Sequence, residues 1–157
     1  MSVTRLDPQL FTPTTGRPIE AGGSVATVRV SGEDTGGAWS LTDLTMPGDF
    51  VAAAPPPHTH TREDEGFFVT QGVVSVMLGG QQVEASAGSF LLSPRGQLHT
   101  FSNPRPDPAR LLILSTPAGL DRFLTELYQQ LAADPTDLET ILNLFNDYGM
   151  RVDLPTG

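Results

Sequence analysis

The chain has 157 residues and a formal net charge of −9, and it contains neither cysteine nor lysine. These absences exclude disulfides, thiolate metal sites, cysteine nucleophiles and Schiff-base lysines. The nine basic residues are all arginine and are dispersed, so a nucleic-acid partner is not expected. No apolar run approaches the roughly 20 residues that span a bilayer, and the first eight residues contain no apolar signal core. We therefore expect one domain, in the cytoplasm, with no membrane partner.

Most of the chain has the pattern of short β-strands, with a turn roughly every eight to twelve residues. Residues 1–16 come first and resemble an extended arm, which either frays or packs on a partner subunit. Glycine, proline and polar clusters separate the segments that follow, and Pro55-Pro56-Pro57 stiffens the approach to His58. The predicted strands are Val25–Val30, Ala38–Met46, Phe67–Thr70, Val73–Leu78, Gln81–Ser86, Ser89–Ser93, His99–Asn103 and Leu111–Leu114.

After Thr116 the apolar residues recur at helical spacing, which predicts two C-terminal helices. The second is predicted to begin at Asp134 as its cap, with Pro135 in its first position, and to end at Gly149. We expect these helices to pack on the outside of the strands or against a second subunit. The alternative is that the first helix, through Phe123, covers one end of the sheet structure.

All three histidines of the chain lie between residues 58 and 99. His58 and His60 are two positions apart, so in a strand they point to the same side. His99 lies in another predicted strand, and Glu65 precedes the strand of Phe67. Neutral imidazoles and an ionised carboxylate suit a divalent first-row metal, so these four residues form the metal-site hypothesis. Glu63 and Asp64 lie nearer the tip of the turn and are expected to be solvated.

The same stretch resembles the two signature motifs of the cupin superfamily. The first motif is present apart from its leading glycine, which is Ala52 here, and the second motif is complete. The matching residues of the first are His58, His60, Glu65 and Gly72, and those of the second are Gly88, Pro94, Gly96, His99 and Asn103.

This resemblance implies an all-β fold, a double-stranded β-helix or jelly-roll barrel, with two C-terminal α-helices. The whole chain, 1–157, would be a single cupin domain, with the barrel at about 24–116 and the helices at about 119–148. The resemblance also implies a homodimer and one metal ion inside the barrel. Its ligands would be His58, His60, Glu65 and His99, and the ion could be Fe, Mn, Ni, Co or Zn.

The polyproline entry and the acidic turn are most similar to the quercetin-dioxygenase-like, single-domain cupins. That likeness implies a dioxygenase that takes O₂ and a flavonol-like or other enolic small molecule, with Glu65 as its general base. Strand alternation would then place Phe67, Val69 and Phe101 in the substrate pocket, although ordinary core is the alternative for both phenylalanines. Two other functions remain open: a small-molecule sensor without turnover, and a metal-dependent isomerase of a small metabolite.

Overall fold

The structure, a computed structural model, describes residues 7–154 and consists mainly of two antiparallel β-sheets. One sheet has the strand order β1-β2-β3-β10-β5-β8, and the other has the order β11-β4-β9-β6-β7. The strands are β1 Pro18–Ala21, β2 Ser24–Val30, β3 Ser40–Met46, β4 His58–His60, β5 Asp64–Gln71, β6 Val73–Leu78, β7 Gln81–Ser86, β8 Phe90–Ser93, β9 His99–Ser102, β10 Ala109–Thr116 and β11 Met150–Val152.

The core lies between the two sheets and follows from the two-residue alternation of the strands. Ala109, Leu111 and Ile113 of β10 are almost fully buried, whereas the residues between them are only partly buried. Strand β5 pairs with β10 and contributes Phe67 and Val69 to the same layer. This arrangement of strands is the jelly roll, so the predicted fold class is confirmed.

Two helices follow the last barrel strand, α1 at Leu120–Ala133 and α2 at Leu138–Asp147. Helix α2 begins later than predicted, because Asp137 and not Asp134 caps it by accepting the backbone N–H of Thr140. Asp134 instead follows the end of α1 and accepts the N–H and hydroxyl of Thr136. This Asx turn uses the short carboxylate locally, which is the competing use of aspartate that the sequence interpretation missed.

Strand β11 was not predicted, and it connects the C-terminal segment to the histidine strand. It pairs with β4 in an antiparallel register that places Met150 opposite His60 and Val152 opposite His58. The turn after β4 is held as well: Arg62 donates to the carbonyl of Asp147, at the end of α2. The C-terminal residues are therefore part of the sheet that carries the histidines.

The outer face of the six-stranded sheet exposes a group of large apolar side chains. Phe68 of β5 lies opposite Phe90 of β8, and both rings are substantially exposed, as is Leu92. An added Cβ at Gly66 would lie 2.6 Å from Phe90 Cζ, so the Phe90 ring lies across β5 at this glycine. Homodimer formation stays a prediction. Among the described residues, neither helix has the length and apolar character that crossing a bilayer requires.

Candidate metal centre

His58, His60, Glu65 and His99 come together inside the barrel. One ligand atom from each lies within 4.8 Å of all the others, and all four residues are buried. Strand β4 supplies His58 and His60 from one face, and β9 pairs beside it so that His99 lies opposite His58. Glu65 reaches the same point from β5 of the facing sheet. The structure therefore brings together the four residues that the sequence predicts as metal ligands.

The atoms that converge are the Nε2 nitrogens and one carboxylate oxygen. His58 Nε2 lies 3.2 Å from His60 Nε2, and Glu65 Oε2 lies 3.1 Å from His60 Nε2 and 2.8 Å from His99 Nε2. These separations between donor atoms are close to those around a single small ion, whose bonds to nitrogen and oxygen are about 2.0–2.2 Å long. The donor set of three imidazoles and one carboxylate fits a divalent first-row metal.

Each imidazole is held by a second contact at its other nitrogen. His58 Nδ1 donates to the carbonyl of Pro56 at 2.8 Å, within the predicted polyproline segment. His99 Nδ1 lies 2.9 Å from Ser93 Oγ and 3.0 Å from the carbonyl oxygen of Gln97. Contacts of this kind fix the ring orientation and leave Nε2 as the nitrogen that would coordinate a metal ion.

His60 has a charged partner, which corrects the expectation for the acidic turn. Glu63 was expected to be solvated, but only 5% of it is exposed, and its Oε2 lies 3.4 Å from His60 Nδ1. Asp64, its neighbour, does reach the surface, where it forms an ion pair with Arg95 at 3.0 Å. Residue type alone does not separate Glu63 from Asp64, because it does not show that the strand begins at Asp64.

Burial and charge act in opposite directions on the cluster. Burial lowers the pKa of the His58 imidazole to about 4, so this ring is neutral near pH 7. Burial would also lower the pKa of His60, but the carboxylates of Glu63 and Glu65 outweigh it and raise the pKa to about 9. Burial would raise the pKa of Glu65, yet hydrogen bonds from His60 and His99 hold that pKa well below its usual value. At neutral pH a metal ion would therefore displace a proton from His60.

The predicted pocket residues lie close to the cluster, within the core. The Phe67 ring centroid is 5.8 Å from that of His99 and 5.6 Å from that of Phe101. Phe67, Phe101 and Val69 are all buried in the main apolar cluster. Contact between these residues and a substrate stays a prediction.

Helix α2 contributes a residue that the sequence interpretation missed. The ring of Phe145 lies edge-on to His58, with centroids 5.6 Å apart, and Phe123 of α1 packs on Phe145 at 4.9 Å. Phe145 thus lies between Phe123 and the histidine cluster. The apolar face of α2 was visible in the sequence, but which strand it covers depends on the pairing of β11 with β4.

Surface cavities of about 540, 320 and 290 Å³ lie elsewhere in the described part of the chain. The first lies between the loop before β3 and the start of α1, the second lies on the outer face of the six-stranded sheet around Asp43, and the third lies between α1 and strands β1–β3. None of the three is lined by a residue of the histidine cluster.

Comparison with known proteins identifies folds and sequences that are similar to this chain. Residues 47–115 match the family model described as "Cupin domain". This stretch of the chain is therefore similar to the cupin family. The match covers β4 to β9 and nearly all of β10, so it includes all four residues of the cluster. No curated protein sequence matches the chain.

Three solved structures illustrate how similar the fold of this chain is to known folds. KdgF from a Halomonas species superposes with a TM-score of 0.63 at 20% identity, covering 74% of this chain and 99% of its own. The polyketide cyclase RemF from Streptomyces resistomycificus gives 0.59 at 19% identity, covering 70% and 80%. A sugar phosphate isomerase of the cupin superfamily from Silicibacter pomeroyi gives 0.58 at 18% identity, covering 69% and 75%. At these identities the likeness shows the fold alone.

Proposed function

We propose that this cupin-like protein is a metal-dependent dioxygenase that acts on a flavonol-like or other enolic small molecule. The observation that carries the proposal is the buried cluster of three imidazoles and one carboxylate, whose donor atoms face a common point. Four protein ligands leave one or two coordination positions free, as a catalytic metal requires. The donor set is compatible with Fe, Mn, Co, Ni or Zn.

The residues of the site suit the handling of an enol. A bound divalent ion would supply Lewis-acid stabilisation of the enolate oxygen. Glu65 lies within the cluster, and we assign its carboxylate as the group that accepts the enol proton. His58, His60 and His99 are each held at Nδ1, which keeps their Nε2 atoms directed at the same point.

The surroundings favour a flat, largely apolar substrate. Phe67 flanks His99 and Phe145 flanks His58, so aromatic rings border two sides of the cluster. A pocket of aromatic and apolar side chains around a few polar groups is typical of sites for organic molecules. It would also exclude water from the reacting atoms.

Oxygen uptake tests this function. Protein loaded separately with Fe²⁺, Mn²⁺, Co²⁺ or Ni²⁺ is given quercetin in an oxygen-electrode cell, and the products are identified by mass spectrometry. We expect O₂ consumption with at least one ion and its loss in Glu65→Gln. Glu84→Gln, which changes an exposed acid, serves as the matched control. An absence of uptake with every ion would remove the dioxygenase assignment.

A metal-holding sensor without turnover is the second candidate, and burial of the site favours it. None of the four residues is more than 6% exposed, so entry of a substrate requires neighbouring side chains to move. A tightly held small molecule that stays chemically unchanged in the presence of O₂ would identify this function.

A further inference from the structure

Glu63 is an acidic residue of the β4–β5 turn that points into the protein. Its exposure of 5% is unusual for a carboxylate, because a charge that is buried without a partner is strongly unfavourable. The carboxylate lies at the far nitrogen of His60, with Oε2 3.4 Å from Nδ1. Glu65 Oε2 lies 3.1 Å from Nε2 of the same ring. The His60 imidazole therefore lies between two carboxylates, one at each nitrogen.

The start of α1 is shaped to accept this buried carboxylate. Gly119, which precedes the helix, has φ = 151°, a conformation that favours glycine. A Cβ at this position would lie 3.1 Å from Glu63 Oε1, so the absence of a side chain makes room for the carboxylate. The positive end of a helix dipole is also a favourable place for an anion. Glu63 thus lies between His60, with which it shares a hydrogen bond, and the beginning of α1.

The three histidines differ in what holds their Nδ1 atoms. Nδ1 of His58 is hydrogen-bonded to a backbone carbonyl, and Nδ1 of His99 is within hydrogen-bond distance of a serine hydroxyl and a backbone carbonyl. Within residues 7–154, His60 alone of the three has a carboxylate there. A charged acceptor strengthens the hydrogen bond and increases the electron density that the ring offers at Nε2.

We propose that Glu63 is a positioning residue that accepts the Nδ1–H of His60 and so directs the His60 Nε2 lone pair to the metal. This inference rests on the proposed metal site and deepens it. Glu63 is not a metal ligand in this arrangement, because it contacts Nδ1 of His60, on the side of the imidazole ring that faces away from the cluster. It makes His60 the strongest nitrogen donor of the three.

The test is titration of the metal-free protein with Co²⁺, which reports affinity and, through its visible bands, the ligand field. Glu63→Gln keeps the size of the side chain and removes its charge. We expect the Kd for Co²⁺ to rise about 10- to 100-fold, the range typical for loss of such outer contacts, and the visible bands to shift.

Asp121→Asn is the matched control. Asp121 is also a buried carboxylate at the start of α1, but it accepts from the backbone N–H groups of Gly32 and Gly119 and not from a histidine. Its substitution should leave the Co²⁺ affinity and spectrum as in the wild type, even if the protein is less stable. A folded Glu63→Gln protein with wild-type Kd and spectrum would overturn the positioning role and leave the metal site intact. Wild-type protein that binds no Co²⁺ would overturn both.

A measurement on the wild type covers the case in which Glu63→Gln does not fold. In Zn²⁺-loaded protein, the ¹⁵N NMR shifts of His60 should show a protonated Nδ1 and a metal-bound Nε2. The reverse assignment, with Nδ1 bound to zinc, would exclude Glu63 as its hydrogen-bond acceptor and overturn the proposal.

Discussion

Replacing Phe145 by alanine tests whether the C-terminal helices fold as one unit with the histidine strand. The ring is 2% exposed and packs edge-on against His58 and Phe123. Truncation of a buried phenylalanine to alanine typically costs about 3–5 kcal/mol, and each aromatic pair accounts for about 0.5–1.5 kcal/mol of such losses. We therefore expect the free energy of unfolding of metal-free protein to fall by about 4 kcal/mol.

The assay is urea denaturation followed by circular dichroism, with Leu138→Ala as the matched control. Leu138 begins the same helix but is 66% exposed, so its truncation should change stability by no more than about 0.5 kcal/mol. The Zn²⁺-loaded Phe145→Ala protein should also lose its ion to a chelator faster than the Leu138→Ala protein. A loss of stability under about 1 kcal/mol for Phe145→Ala, close to that of the control, would show that α2 detaches independently of the barrel and refute the reasoning.

Three further predictions concern the metal and the outer sheet face. Because the pKa of His60 is raised to about 9, metal binding at pH 7 releases a proton from this residue. As the pH rises from 7 to 9, the apparent Kd for the metal should therefore fall about tenfold per pH unit, which competition with a chelator measures. A pH-independent Kd in that range would contradict the assignment of His60. Metal at about 100 times its Kd should stabilise the fold by about 2.7 kcal/mol, visible as a higher Tm that chelation reverses; an unchanged Tm would show that the ion does not bind the folded site. If the exposed face of Phe68, Phe90 and Leu92 joins two copies, Phe90→Asp should convert a dimer to a monomer in light scattering, whereas an unchanged mass would place the contact elsewhere.

The sequence was most informative where a residue type and its spacing both carry meaning. His58, His60 and His99 were identified because an i, i+2 pair shares a strand face and a third imidazole completes a metal set. The turn glycine Gly72 is a second residue whose type carries meaning. Its φ is 73°, and a Cβ there would lie 2.7 Å from the Pro108 carbonyl oxygen, so only glycine fits this position. For these residues, residue type and motif spacing were enough for the prediction, although the contacts that use them join distant parts of the chain.

The features that sequence interpretation missed depend on contacts between distant parts of the chain. Strand β11 is only three residues long, and its pairing with β4 decides that α2 lies over His58. Glu63 and Asp64 are adjacent acids in one turn, yet Asp64 pairs with Arg95 at the surface, whereas Glu63 pairs with His60 in the interior beside Gly119. Two-residue alternation from Glu65 would have separated them, but the sequence does not show that the strand begins as early as Asp64.

Metal content measures the central claim most directly. Wild-type protein and His99→Ala are purified side by side, loaded with each candidate ion, desalted and analysed by inductively coupled plasma mass spectrometry. The convergence of His58, His60, Glu65 and His99 predicts about one divalent ion per wild-type chain and close to none in the variant. Wild-type protein that retains no ion under any loading condition, or His99→Ala that retains as much as the wild type, would contradict it.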